Sequence, residues 1–484
     1  MINKEHPFVG RVSELQKLKV LYDRKRPTLA VIKGRRRIGK SRLISEFSNQ
    51  YLLKGSRFFV FTGLPPIAEI TAQDQRDYFL QQLSEQLNIP LVHMTEWSQI
   101  LNYFAKHISP GDIILFDEIS WMGSMDHTFV PKLKPWWDVT LENKNHLLLV
   151  FCGSVSTWVE ENILNSTAFL GRISLKMTLE PLMIPQSTTF LKTLGFKGSD
   201  FEIYKILCIL GGVPWYLGQI NPDIMADENI KNLCFEKDGL LTSEFKSIFH
   251  DIFNGKGTTY KKILDSLKDG MKSLTELQED IQQKNQDLSL LMDHLITSGF
   301  VAEHHQWSLK TGKILKQKLY GILDPYIRFY LKNIEPYQIE ISKGSFNSIN
   351  ISNLPGFTSH MGLQFENLLI QNRSLLLKSI EIDELDCVFD GPYRQTKTSQ
   401  NKGCQIDYLI QTKSKNLFLC EFKSGLKELG MDVIEEVQEK INRLSIPVGF
   451  AVIPVLFHMG GVSKNFLNSK YFYRIIDAKD FLKS

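Results

Sequence analysis

Gly34-Arg35-Arg36-Arg37-Ile38-Gly39-Lys40-Ser41 spaces its glycines, lysine and serine as G-x-x-x-x-G-K-S. Each residue type there has a chemical use. The glycines let the backbone curl until its N–H groups point at phosphate oxygens, and a helix starting at Lys40 adds its partial positive charge. Lys40 would reach the β- and γ-phosphates of a nucleotide, and Ser41 would set its hydroxyl on Mg²⁺. A second acidic element, Asp117-Glu118, follows the apolar run Ile113-Ile114-Leu115-Phe116. Asp117 is positioned to hold Mg²⁺ through water, and Glu118 to polarise an attacking water. A third constellation lies near the C-terminus: Glu366, Asp407, and the Glu421-Phe422-Lys423 triplet. Carboxylates with a lysine beside them suit a divalent metal that lowers the pKa of a bound water, the basic group offsetting charge on a phosphate.

These residues need elements to carry them. Leu29-Ala30-Val31-Ile32 reads as a buried parallel strand, and Leu43, Ile44 and Phe47 mark the helix after the glycine loop. Further strands are expected at 56–62, at 113–116 and at Leu147-Leu148-Leu149-Val150-Phe151-Cys152-Gly153-Ser154, with helices over 73–107. Alternating strands and helices predict a right-handed parallel α/β sheet with the phosphate loop after its first strand. A helical lid is expected from Pro185 to Asn254, interrupted at Gly211-Gly212-Val213-Pro214. From 258 to 323 the apolar spacing predicts three short helices and two strands, a winged helix-turn-helix. The helix read as its recognition helix, Asn285 to Ser298, carries Asp287 and Asp293 but no Lys or Arg, so it lacks the usual phosphate anchor. The wing is basic, with Lys310, Lys313, Lys316 and Lys318; a packing or partner module is favoured over a sequence reader.

An aromatic helix begins at Asp324-Pro325-Tyr326, and 335–357 reads as a turn-rich connection. Gly362 to Leu369 reads as a helix with Glu366 near its start. Period two puts Glu421 and Lys423 on one side of their strand, and hairpin pairing with the strand Ile406–Ile410 would let Asp407 join them. The expected domains are 1–184 (nucleotide core), 185–257 (lid), 258–334 (winged helix) and 350–484 (a second α/β domain).

The 484 residues are too many for one core. Hydrophobic content of 43%, charged content of 23% and a net charge of +4 describe an ordinary globular chain with no global field for nucleic acid. No apolar h-region follows Met1 and no run reaches about 18 apolar residues, which argues against secretion and membrane spanning. Six scattered cysteines without C-x-x-C suit reduced thiols and give no zinc site, so a cytoplasmic location is expected.

The Phe8-Val9-Gly10-Arg11 turn before the phosphate loop resembles the adenine-side entry of AAA+ and STAND ATPases. In that resemblance Ser154 senses the γ-phosphate, though it could equally cap the next helix. Arg172, in Leu170-Gly171-Arg172, would complete a phosphate site in cis or across subunits, or is simply solvated. Pro214 would contact the nucleotide, or marks a plain helix corner. The spacing Asp-x13-Glu-x-Lys resembles the PD-(D/E)xK nuclease core, with Glu366 matching the acid of its first helix and Gln438 a further match; Gln405-Ile406 stand where that core usually has a proline. Taken together, these motifs look like the archaeal-type ATPase family, STAND-related P-loop ATPases with a winged helix and a nuclease-like C-terminal domain. The resemblance implies ATP and Mg²⁺ as ligands, with Ser41 and Asp117 at one metal and Glu366, Asp407 and Glu421 at another. With Arg172 the one arginine-finger candidate, slow, switch-like hydrolysis is expected. Two functions remain open: an ATP-gated nuclease acting on DNA, and a non-nucleolytic switch that docks a protein partner, or another copy of itself, through its later domains.

Overall fold

Four apolar runs and the alternating segment 173–178 become the parallel strands of one sheet: β1 (Pro27–Gly34), β2 (Phe58–Thr62), β3 (Ile113–Asp117), β4 (Leu147–Ser154) and β5 (Ile173–Thr178), in the order β2-β3-β4-β1-β5. The computed structural model describes residues 6–65, 69–154, 157–253, 257–282, 285–346, 350–397 and 402–483. The chain divides into two compact units, Met1–Pro181 with Thr297–Gly299, and Leu182–Ile296 with Phe300–Ser484. This sheet belongs to the first. Its inner strands are buried on both faces, which is why they read as continuous apolar runs, whereas β5, paired only with β1, alternates exposed residues with half-buried or buried ones. An aromatic cluster packs beneath β2 and β3: Phe61 stacks on Phe79 at 4.1 Å between centroids and meets Phe104 and Phe116 edge-on. The parallel register aligns the strand ends. Gly34 pairs with Ser154 and Thr62 with Asp117, so β1, β3 and β4 deliver Gly34, Asp117 and Ser154 to the same edge.

The second unit begins with helices Ile184–Thr193, Asp200–Leu210, Pro214–Leu217, Ala226–Cys234 and Glu244–Phe253. Gly211 has φ 65°, and a Cβ on Gly212 would lie 1.9 Å from the Leu182 carbonyl oxygen. The Gly-Gly pair is therefore required by a backbone approach inside this unit. Helices Gly257–Leu267, Leu274–Ile281 and Asn285–Thr297 follow, then the hairpin β6 (Val301–Ser308) and β7 (Lys313–Ile322). Ser273 and Glu276 form the capping box at Leu274. A mixed sheet ends the chain: β8 (Cys387–Gln395), β9 (Cys404–Thr412), β10 (Asn416–Lys423), β11 (Ala451–His458) and β12 (Arg474–Asp477), ordered β12-β11-β10-β9-β8. β8, β9 and β10 are antiparallel; β10, β11 and β12 are parallel.

The hairpin is stitched to this last sheet. Trp307, 1% exposed, packs on Phe389 and Tyr393, and its Nε1 donates to Gln411 Oε1 at 2.9 Å. Gln306 Nε2 donates to the Pro392 carbonyl, and the Arg394 amide donates back to Gln306 Oε1.

Two expectations need correction. The helix that carries Glu366 spans Phe357–Gln371, so Glu366 is in its later half and not near its start. Gly356, at φ 73°, is the residue before it, and His360 in its first turn is fully buried. Within 335–357 the described residues form short helical segments, Glu335–Tyr337, Gln338–Ser342 and Ile351–Asn353.

Candidate functional site

Gly34 closes β1 against the chain beyond β5, where an added Cβ would come 2.7 Å from the Leu179 carbonyl oxygen. Arg37 (φ 72°) and Gly39 (φ 92°) then take left-handed conformations that curl Arg35–Gly39 back toward the helix Lys40–Tyr51. No side chain caps that helix. Lys40 is 6% exposed, and its ammonium lies over the loop, donating to the carbonyls of Gly34 at 3.0 Å and Arg35 at 3.2 Å. Ile38 is buried beneath the turn.

The β3 end meets this loop. Ser41 Oγ donates to Asp117 Oδ2 at 2.5 Å. Burial raises the Asp117 pKa, and the adjacent Glu118 charge raises it further; Ser41 and Lys40 pull the other way. Glu118 sits at φ 49°, a conformation uncommon outside glycine, which turns its side chain toward β4. There its carboxylate accepts from the Ser154 amide at 3.3 Å and from Ser154 Oγ at 3.3 and 3.4 Å. Ser154 thus faces Glu118. The hard oxygens of Ser41 and Asp117 fit Mg²⁺.

Arg172 makes a bidentate pair with Asp138, Nε to Oδ1 at 2.5 Å and Nη2 to Oδ2 at 2.8 Å, and Asp138 is held below the usual carboxylate range mainly by that arginine. Pro214 is the first residue of a helix in the second unit. The turn read as an adenine-side entry comes to the phosphate loop. Arg11, 5% exposed at φ 62°, pairs with Glu14 and directs Nη2 toward the Ile38 carbonyl at 3.4 Å, so the Phe-Val-Gly-Arg turn abuts the phosphate loop.

The C-terminal acids converge on one face. Cys420 pairs with Tyr408 across β10 and β9, which makes Glu421 and Asp407 cross-strand neighbours. Glu421 is 2% exposed, and its Oε1 lies 3.1 Å from Lys423 Nζ. Lys423 also pairs with Glu436 at 2.6 Å. Burial raises the Glu366 pKa to about 8, with the charges of Asp407 and Glu421 adding to the shift. Gln438, by contrast, bonds Asn442 and Tyr471 on the exposed side of helix Asp432–Arg443. The group that does reach the acids is Lys440, 2.5 Å from Glu421 Oε2 and 3.3 Å from Asp407 Oδ1. Its signal was present: Val433, Val437 and Lys440 fall on one helical stripe, the two valines buried.

Residues 8–220 match a family model, that of an ATPase domain predominantly from Archaea. The matched stretch contains the phosphate loop, Asp117, Glu118, Ser154 and Arg172, and it runs on to Gly211-Gly212 and Pro214. An uncharacterized protein of Methanocaldococcus jannaschii is 24% identical over 457 residues, 91% of this chain and 92% of its own length. Among solved structures, the Walker-type ATPase of Pyrococcus abyssi is 16% identical, with a TM-score of 0.49 over 67% of this chain and 96% of that one. The ORC2 protein of Aeropyrum pernix, in ADPNP–ADP complexes, is 13% identical, with a TM-score of 0.43 over 70% of this chain and 98% of that one. Among the described residues no helix is long and apolar enough to cross a membrane.

Proposed function

We propose that the chain is an Mg²⁺-dependent ATP hydrolase that works as a nucleotide switch. The observation that carries this reading is the convergence of Lys40, Ser41, Asp117 and Glu118 at the ends of β1 and β3, within the stretch that matches the ATPase-domain model. Ser41 and Asp117 would hold Mg²⁺, which when bound offsets charge on the phosphate oxygens. The loop amides cradle the phosphates, and Lys40 exchanges two carbonyl acceptors for phosphate oxygens. Glu118 orients the attacking water and accepts its proton; until then Ser154 restrains it. Arg172, engaged by Asp138, supplies no charge to the reaction within the chain, and this supports a slow hydrolase. Glu118→Gln should bind ATP with wild-type affinity and hydrolyse it at a rate lower by about 10²–10⁴; wild-type turnover in that variant would remove Glu118 from the role.

The second unit is read as a docking body. Its three helices and hairpin have winged-helix order, but the third helix holds acids at Asp287 and Asp293, and β6 is occupied by the C-terminal sheet through Trp307 and Gln306. DNA binding that falls steeply with salt would count against this assignment. A second reading, a metal-dependent nuclease, is favoured by the shared face of Asp407, Glu421 and Lys423. It meets an obstacle in Lys440, whose ammonium stands between the two carboxylates, so these residues as arranged do not fit a divalent ion.

A further inference from the structure

The geometry points to Lys440 as a built-in cation that takes the place of a metal at the C-terminal acids, making Asp407, Glu421 and Lys440 a metal-free staple between helix Asp432–Arg443 and strands β9 and β10.

Each carboxylate oxygen already has a partner. Glu421 Oε1 is 3.1 Å from Lys423 Nζ and Glu421 Oε2 is 2.5 Å from Lys440 Nζ. Asp407 Oδ1 is 3.3 Å from Lys440 Nζ, and Asp407 Oδ2 accepts from the Phe422 amide at 3.0 Å. A magnesium-sized ion must approach such oxygens to about 2.0–2.1 Å in a near-octahedral shell. Between these two carboxylates that volume is the ammonium's, and a dication so close to it would meet strong repulsion. Among the described residues no group of three or more His, Cys, Asp and Glu side chains is arranged to hold a metal ion.

Nor is Lys440 a surface lysine caught in passing. Its side chain is 26% exposed, and it follows Val433 and Val437 (3% and 0% exposed) along the inward stripe of its helix. Packing of the valines delivers the ammonium to the acids. Two buried carboxylates side by side are costly unless a cation lies between them. Lys440 meets that requirement from within the chain.

Mn²⁺ titration of the nucleotide-free full chain, followed by electron paramagnetic resonance, tests this in wild type, Asp407→Asn, Lys440→Gln and the Lys440→Gln/Asp407→Asn double variant. Wild type should show no Asp407-dependent uptake up to about 1 mM, the weak end of protein sites for such ions. Lys440→Gln should gain one site at least roughly tenfold tighter, as expected on removing a like charge, and the double variant should lose it. An Asp407-dependent site in wild type that is as tight as in Lys440→Gln overturns the inference, as does metal-dependent DNA cleavage by wild type that Asp407→Asn abolishes. Should Lys440→Gln fail to fold, wild-type crystals grown with Mn²⁺ decide: Lys440 on both acids with no manganese between them supports the staple, and manganese there with Lys440 displaced overturns it. Assignment through Asp407 keeps each outcome separate from the ATP site.

Discussion

Ser41 Oγ and Asp117 Oδ2 lie 2.5 Å apart, joining the first turn of the helix after the phosphate loop to the end of β3. Residues 76 positions apart thus form one hard-oxygen pair. Asp117→Asn should leave nucleotide binding without Mg²⁺ unchanged in equilibrium dialysis. Mg²⁺-supported hydrolysis should fall by roughly 10²-fold or more, the rate equivalent of several kcal/mol of charge stabilisation. Equal loss of both would mean that Asp117 holds the loop together rather than the metal.

Arg172 offers a contrast, because its guanidinium is committed to Asp138. Arg172→Ala should keep ATP turnover within about threefold of wild type, whereas an arginine that stabilises the transferring phosphate is worth about 10³–10⁵. A steady-state assay across protein concentrations makes the comparison, and a drop of the larger size would assign Arg172 to a phosphate site, in trans if the drop depends on concentration.

Glu366 gives the fold a pH dependence of known sign. The unfolded chain ionises it near 4.5 and the folded chain near 8, so the folded state binds the proton more tightly. The stabilisation is fully present below about 4.5 and is lost as pH rises through about 8. Thermal melts of wild type should therefore decline across that interval more than those of Glu366→Gln, which carries no titrating proton. Parallel curves for the two proteins would show that Glu366 is ionised in the fold.

Trp307 anchors the hairpin to the C-terminal sheet. Trp307→Ala removes a fully buried indole and leaves Gln411 Oε1 without its donor, so urea unfolding should show a loss of about 3–5 kcal/mol. A loss under about 1 kcal/mol would mean that the hairpin does not depend on this packing.

The proposed nucleotide site was legible because its chemistry is local. Strand, glycine loop and helix are contiguous, and the fully buried strands announce themselves as apolar runs with Asp117 and Ser154 at their ends. The C-terminal acids were legible for a related reason: period-two alternation put Glu421 beside Lys423, and hairpin pairing brought Asp407 to Glu421. What local pattern could not supply was the choice among long-range partners. Arg172 had many possible acceptors and Asp138 is its partner; Gln438 and Lys440 share a helix, and only the packing of Val433 and Val437 decides which of them faces the sheet. The start of the helix at Phe357 was missed because 335–357 read as a turn-rich connection and the helix was expected from Gly362.

Calorimetric titration of Lys40→Ala with Mg·ATP, beside wild type, is the most direct test of the nucleotide site. Wild type should bind one ATP per chain, and the variant, without the ammonium that lies over Gly34 and Arg35, should show no saturable binding. Binding by Lys40→Ala with wild-type affinity would contradict the account.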